Sequence, residues 1–263
     1  MIRYALVDGE IREPASGLKG VCPGCGTKLT AKCGSVKIHH WAHQRRIDCD
    51  PWWEPMTQWH IDWQNKFPAT WREVIFRDEK SGEFHRADIN TPQGLTIEFQ
   101  HSPLSNEELE SRNSFYKKII WVVNAQRFKK LFTFEKSIPN PTSPLLAGYN
   151  FGVFPDGLAK HALFYLKEEL RAHGPAVRIY SLQDDELKEV SNEYDKAQKF
   201  YWLFSWKYKH RSWLNSIAPV FFDFGDEFLY WIKKRKQIGT PLLYVQIVRK
   251  NNFLAKYTKE AGD

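Results

Sequence analysis

The sequence predicts an α/β fold, a central mixed sheet flanked by helices, with a small metal-binding module ahead of it. Three observations carry that expectation. All four cysteines precede residue 50. Residues 54–124 change periodicity in the order helix-β-β-β-helix-β. In the middle of that run, an Asp and a Glu stand on neighbouring strands joined by a short turn.

Within residues 1–50, Cys22 and Cys25 flank a Pro-Gly turn, and His40 and His43 follow. The resulting Cys-x2-Cys-x14-His-x2-His spacing is close to that of a structural zinc knuckle or finger. His40 and His43 are three apart and can face the same way in a helical turn or a bend. Cys33 competes as a ligand, His39 can replace His40, and Cys49 is a further thiol nearby. A short segment with Gly and Lys spread through it has little to fold around without a metal. Four protein ligands leave no open position for water, so zinc here is expected to be structural. Lys28, Lys32, Lys37, Arg45 and Arg46 have no acid among them and surround Trp41. Such a stretch can track a phosphate backbone and stack a base, although solubility explains the charges equally well.

Residues 54–66 read as a helix. Trp59, Trp63 and Phe67 recur at i, i+4 and i+8, and Met56 extends the stripe. Glu54 is expected to open this helix with Pro55 in its first turn, and His60 falls about 120° around from Glu54. Residues 71–77 follow as a strand. In 84–90 and 95–101, alternation puts Asp88 on one face of the first strand, and Glu98 with Gln100 on one face of the second. The turn formers at 90–94 make these strands sheet neighbours. Asp88 and Glu98 then lie close enough to repel, a conflict that a hard divalent cation resolves. An ordinary polar sheet face meeting water is the bland alternative, but Glu98 sits inside an otherwise apolar strand, where an unpaired carboxylate is costly. Ser105 with Glu108 three residues on is a capping box that starts a second helix. Arg112 and Tyr116 share a face of it at i, i+4, and residues 119–124 form an apolar run suited to a buried parallel strand.

Three prolines in the eight residues Ser137 to Pro144 mark a boundary. The chain is therefore divided into a zinc-finger-like module at 1–50, a nuclease-like core at 51–136, and a C-terminal α/β region at 145–263. That last region either extends the core sheet or forms a small domain of its own. Residues 200–213 interleave aromatics with Lys207, Lys209, His210 and Arg211, a mixture that suits single-stranded nucleic acid or a core helix with a basic face. Val220 to Ile232 and Pro241 to Val248 read as two strands joined by a basic turn at 233–236. A net charge of +7 fits an anionic partner. No run approaches the ~18 apolar residues of a membrane helix, and the N-terminus lacks a signal-peptide apolar core. A cytoplasmic location with reduced thiols is the expectation.

Several of these motifs resemble the competence protein CoiA-like family. They are Arg86-Ala-Asp88, the Ile97 to Ser102 stretch, Arg112 to Tyr116, and Ile120 to Asn124, together with the Cys22/Cys25 and His40/His43 pairs. Members look like nucleases of the restriction-endonuclease-like, PD-(D/E)XK superfamily. The resemblance implies that Asp88 and Glu98 hold the catalytic metal. It also implies that Glu54 and His60 are the helix acid and histidine of the site, and that Arg112 and Tyr116 hold the scissile phosphate or buttress Glu98. Gln100 stands where much of the superfamily has Lys, so it can orient a water but cannot deprotonate it. The activity so implied is Mg2+- or Mn2+-dependent hydrolysis of single- or double-stranded DNA in uptake, recombination or processing, in company with other uptake or recombination proteins. The alternative is a zinc-containing nucleic-acid-binding protein whose nuclease core is inactive.

Overall fold

The computed structural model describes residues 2–44, 49–52, 54–78, 82–152, 163–173, 177–207 and 211–258. The chain forms two compact units, residues 1–122 with 254–263, and residues 123–253.

The first unit opens with five short strands, β1 (Ala5–Val7), β2 (Glu10–Arg12), β3 (Lys19–Val21), β4 (Lys28–Lys32) and β5 (His40–His43). They form an antiparallel sheet in the order β2-β1-β3-β4-β5. Two backbone hydrogen bonds between Ile2 and Trp41 tie the entering chain to β5. The core of this sheet is small: Ile2, Ala5, Val7, Cys22, Leu29 and Trp41. Trp41 is completely buried there and donates its indole N–H to Arg12 O at 3.0 Å. The base-stacking role considered for it is therefore closed off. Its neighbours Lys28, Lys32 and Lys37 are exposed, and Arg45 and Arg46 lie outside the described residues.

Next come α1 (Gln58–Gln64), β6 (Arg72–Arg77), β7 (Phe84–Asn90), β8 (Thr96–Gln100), α2 (Asn106–Tyr116) and β9 (Ile119–Asn124), in the expected order. The four strands lie in the order β9-β8-β7-β6. Helix α1 starts later than its apolar stripe suggests. Thr57 caps it by accepting the His60 N–H at 3.3 Å, so Pro55 precedes the cap and Glu54 sits in the extended approach rather than in the first turn. A β-hydroxyl at the cap satisfies an orphan N–H, which Glu54 cannot do from that distance. Phe99 on β8 is the packing centre: Trp63 stacks on it at 5.5 Å between ring centroids, with Phe67 at 6.2 Å and His60 edge-on at 6.0 Å. Helix α2 begins as read, Ser105 Oγ accepting the Glu108 N–H at 3.1 Å. In β8 all five residues are buried, so both faces of that strand are covered.

The second unit contains β10 (Phe132–Ser137), β11 (Tyr149–Phe151), β12 (Leu163–Leu166), α3 (Lys167–His173), β13 (Tyr180–Ser181), α4 (Lys188–Lys196), β14 (Tyr201–Trp206), α5 (Arg211–Asn215), β15 (Val220–Asp223), β16 (Phe228–Arg235) and β17 (Leu242–Arg249). Helix α6 (Lys250–Tyr257) follows directly. Strands β10-β14-β17-β16-β15 are antiparallel neighbours, and β11-β12-β13 form a separate small sheet. Leu146, Phe151, Phe164, Leu187, Leu203 and Tyr244 belong to one core. Two expectations need correction here. The Val220 to Ile232 run is broken by Gly225 at φ +88°, whose N–H meets Asp223 Oδ1 at 2.8 Å. Glycine alone takes that conformation without strain, so the run becomes two strands. Lys233 to Arg235 are consequently not a turn: they lie within β16, Lys233 facing Tyr244 on β17. The 200–213 stretch is strand β14 followed by short helix α5, with Lys209 and His210 outside the described residues. Among the described residues no helix is long and apolar enough to cross a membrane.

Candidate active site and thiol cluster

The β6-β7-β8 meander aligns three acids. Ile89 pairs with Ile97, a register that places Asp88 across from Glu98. On the other side, the pairs Arg72–Ile89 and Val74–Ala87 bracket Glu73 opposite Asp88. Glu73 adopts φ +50°, a left-handed conformation that is uncommon for a non-glycine residue and is found where a site fixes a side chain. Glu73, Asp88 and Glu98 therefore form a row across adjacent strands, and all three line one pocket with Asp50, Trp52, Glu54, Met56, His60, Arg86, Phe99, Gln100, Arg112 and Tyr116.

Asp88 is the hub of that pocket. Its Oδ1 lies 2.6 Å from His60 Nε2 and accepts from Gln64 Nε2 at 3.3 Å, while Oδ2 accepts the Phe99 N–H at 2.8 Å. The Asp88 N–H in turn donates to Glu98 Oε1 at 3.3 Å. Gln100 Nε2 donates to Glu54 Oε1 and to Ser102 O, the latter at 3.1 Å. Glu54 Oε2 is 2.6 Å from His101 Nδ1. Arg112 Nη1 is 3.9 Å from Glu98 Oε2, and Arg112 Nη2 donates to Trp52 O at 3.0 Å and to Glu108 Oε1 at 2.5 Å. These contacts link Asp88, His60, Glu98 and Arg112 in one group and Gln100 with Glu54 in another, and both groups line one pocket with Tyr116.

Burial, then the charge of Asp88, pushes the Glu98 carboxyl well above the ordinary range, against the pull of Arg112. Glu73 is also raised, by burial and by Asp88, while Arg86 and His60 oppose the rise. For His60, burial works to lower the pKa, but Asp88, Glu73 and Glu54 outweigh it and favour the imidazolium. These acids are too close and too buried to be ionised together without added positive charge. Among the described residues, His60 Nδ1 and Arg112 Nε are buried without a hydrogen-bond partner. A hard cation with oxygen ligands fits this donor set.

A stability prediction follows from Glu98. Its folded-state pKa exceeds the unfolded one, so its contribution is greatest below the ordinary carboxyl value near 4.5 and is lost as pH rises toward the raised value. In chelator, the melting temperature of the wild type should fall between pH 5 and pH 8 relative to Glu98→Gln. Added Mg2+ should restore the wild type only. Parallel melting curves for the two proteins across that range would contradict the electrostatic account.

The second constellation is the thiol cluster. The ligand atoms of Cys22, Cys25, His43 and Cys49 all lie within 4.8 Å of one another, and Cys25 Sγ is 3.3 Å from His43 Nε2. Sulfurs on a tetrahedral zinc at about 2.3 Å stand about 3.8 Å apart, so the donors fit the metal. His40 is not part of this group. It and His43 lie on strand β5, where residues three apart point to opposite faces, and His40 Nδ1 meets Ile38 O at 2.8 Å instead. Cys49 takes its place, and Cys33 also stays outside the group. The Cys22 thiol is lowered to about 4, chiefly by its hydrogen bond with Cys49, against burial and with help from backbone N–H groups and Arg86; Cys49 is raised in turn. The turn bearing Cys22 and Cys25 rests on the β6-β7 hairpin. A Cβ on Gly24 would stand 2.4 Å from the Phe84 ring, and Arg77 donates to Gly24 O.

Residues 15–51 match the family model described as competence protein CoiA, N-terminal domain. Residues 84–143 match that of the CoiA nuclease-like domain. The two stretches are similar to CoiA. The first match contains all four cluster ligands, and the second contains Asp88, Glu98, Gln100, Arg112 and Tyr116. Glu54, His60 and Glu73 lie between the two. No curated protein and no solved structure matches the chain.

Sequence reasoning missed Glu73, Arg86 and Asp50 in this pocket. The signal for Glu73 was present in the strand pairing: setting Arg77 against Phe84 counts Glu73 opposite Asp88. Asp50 is buried, meets His85 Nδ1 at 3.1 Å, and accepts the N–H groups of Trp52 and Arg86 at 3.0 Å. Burial alone would raise its pKa, but those bonds hold it below the ordinary value. Nothing in local periodicity distinguishes it from a loop aspartate.

Proposed function

We propose that this CoiA-like chain is a metal-dependent DNA nuclease that hydrolyses phosphodiester bonds of single- or double-stranded DNA, in DNA uptake, recombination or processing. The observation that carries this reading is the row of Glu73, Asp88 and Glu98, with His60 turned onto Asp88. Asp88 and Glu98 would hold a Mg2+ or Mn2+ ion, whose charge would polarise a phosphate and lower the pKa of a water. His60 as imidazolium orients Asp88 through the 2.6 Å contact at Oδ1. Arg112, held by Trp52 O and Glu108, offers its guanidinium edge to Glu98 and to an incoming phosphate. The N–H groups of Gln100 are committed to Glu54 and Ser102, so its carbonyl oxygen is the atom free to accept from a water. Zinc fills the Cys22/Cys25/His43/Cys49 cluster as a structural metal, and the reduced thiols fit the cytoplasm. We assign the chemistry to residues 51–136 together with the 1–50 module, and the 145–263 region to a separate supporting role.

Gln100 also favours a second reading. A site without the usual ammonium suits a nucleic-acid-binding protein whose core no longer cleaves. Incubation with single- and double-stranded DNA decides between the two. A nuclease cleaves in Mg2+ or Mn2+ and stops in EDTA, and Gln100→Ala loses about 10- to 1000-fold, the range for one positioned polar group. If the wild type fails on every substrate while Gln100→Lys cleaves, the binding reading stands.

A further inference from the structure

Three cations of the second unit meet with no carboxylate to neutralise them. The short turn Pro144–Leu146 ends in carbonyls that no further helical turn satisfies. Lys167 Nζ donates to one of them, Ala147 O, at 2.5 Å, and Arg235 Nη2 donates to the one before it, Leu146 O, at 2.6 Å. Successive carbonyls thus hold an ammonium and a guanidinium side by side. Arg171 follows Lys167 by four residues on α3 and so shares its face. The Phe151 ring centroid lies 5.0 Å from Arg235 Cζ, yet Arg235 Nη1 is buried with no hydrogen-bond partner. Glu169 of α3 is turned to the Tyr180 hydroxyl, which it accepts at 3.0 Å. Among the described residues, Lys167, Arg171 and Arg235 form no ion pair with an acid. Burial, then Arg235 and Arg171, hold the Lys167 ammonium below the ordinary lysine value, and burial lowers Arg235 against the effect of Tyr244.

One cation at the end of a turn is ordinary capping. A second and a third beside it repel the first, and an anion among them removes that repulsion. A phosphate suits the set, since a guanidinium fork and an ammonium can share its oxygens. The cluster also continues along one strand. Lys233 and Trp231 precede Arg235 on β16 at alternate positions, so all three share a face at steps of about 6.8 Å. Trp231 is half-buried, Phe221 stacks on it at 5.1 Å between centroids, and Lys233 Nζ stands 4.2 Å from its ring centroid. A base that stacks on Trp231 takes the place of that ammonium and releases it to a phosphate. Cations in line with an aromatic ring suit a strand of phosphates with unpaired bases. A free phosphate ion would need the first cluster alone.

We propose that Lys167, Arg171 and Arg235 form an anion site for a phosphate of single-stranded nucleic acid, whose strand continues along β16 past Lys233 to Trp231. Taking nucleic acid as the source of the phosphate rests on the nuclease reading of the chain, whereas the anion site itself does not.

The experiment measures binding of a labelled oligothymidylate to the full chain by fluorescence anisotropy over a range of NaCl concentrations, in EDTA so that no cleavage occurs. Lys167→Gln and Arg171→Gln reach solvent and leave the buried Arg235 in place. Each should weaken binding about 5-fold at ~0.1 M salt and flatten the salt dependence by about 0.7, the value of one lost phosphate contact to a single strand. Trp231→Leu should weaken binding about 5-fold or more with the salt dependence unchanged, as the loss of one stacked base does. Lys188→Gln, an exposed lysine of α4 outside the cluster, should bind as the wild type does. Unchanged binding in Lys167→Gln and Arg171→Gln, or an equal loss in Lys188→Gln, overturns the site. Unchanged binding in Trp231→Leu overturns the path along β16. Displacement of the oligonucleotide by micromolar inorganic phosphate at constant ionic strength identifies a free-anion site and overturns the nucleic-acid assignment. Oligonucleotide bound in EDTA with the expected losses, but never cleaved in Mg2+, supports this site and sinks the nuclease reading alone.

Discussion

Asp88→Asn is expected to lower DNA cleavage by more than about 100-fold while the protein stays folded. Loss of a group that merely supports a metal ligand already costs about 10- to 100-fold, and Asp88 is itself proposed as a ligand. The geometry adds a specific reason why the nearly isosteric amide cannot substitute. Asp88 accepts at both oxygens, from His60 and Gln64 at Oδ1 and from the Phe99 N–H at Oδ2. An asparagine has one acceptor oxygen and an NH2 group. Whichever way it is turned, a donor faces either the His60 imidazolium or the Phe99 N–H. The charge that holds His60 protonated disappears as well. The measurements are initial rates in Mg2+ and circular dichroism of the same preparation. Wild-type rates in Asp88→Asn and in Glu98→Gln would remove the acid row from the chemistry.

Cys49→Ser is expected to lose stoichiometric zinc, whereas His40→Ala is expected to keep it. Structural zinc sites in small modules are worth about 10–16 kcal/mol in apparent binding free energy, and that binding is also folding free energy. Among the described residues, the five-stranded N-terminal sheet has a core of six buried residues, so few other interactions can replace the metal. Elemental analysis should give about one zinc per chain for the wild type and His40→Ala. Limited proteolysis should cut Cys49→Ser within residues 1–50 well before the wild type. Zinc retained in Cys49→Ser and lost from His40→Ala would restore the ligand set that spacing alone suggests.

What the sequence made legible followed from regular geometry. Alternation in two short strands put Asp88, Glu98 and Gln100 on the site face, because a regular strand alternates its side chains with period two. The Ser105 cap was legible because a hydroxyl three residues before a glutamate has one favoured use. Readings failed where the local geometry was open. His40 and His43 share a face in a helical turn but not in β5, and nothing in their spacing says which applies. Glu54 was placed in a helix that Thr57 begins three residues later. Glu73 went unread because its left-handed backbone breaks the strand rule that its neighbours obey. Arg86 and Asp50 matter through partners 64 and 36 residues away, at distances that no periodicity encodes.

Residues 49–52 join the N-terminal sheet to the helix that carries His60, and they are not a passive tether. Asp50 accepts three hydrogen bonds, Trp52 stacks on His85 with ring centroids 3.2 Å apart, and Trp52 O receives Arg112. Arg3, just ahead of β1, reaches Gln64 and Asn65 at the end of α1. Boundaries between exchangeable parts of a protein usually run through exposed linkers that few contacts cross. This seam is crowded on both sides. The N-terminal sheet therefore cannot be grafted onto another nuclease-like body, or trimmed away to obtain a smaller protein, as an interchangeable cassette. Shortening the chain to start at residue 54 would remove Asp50 and Trp52, and one wall of the acid-lined pocket with them.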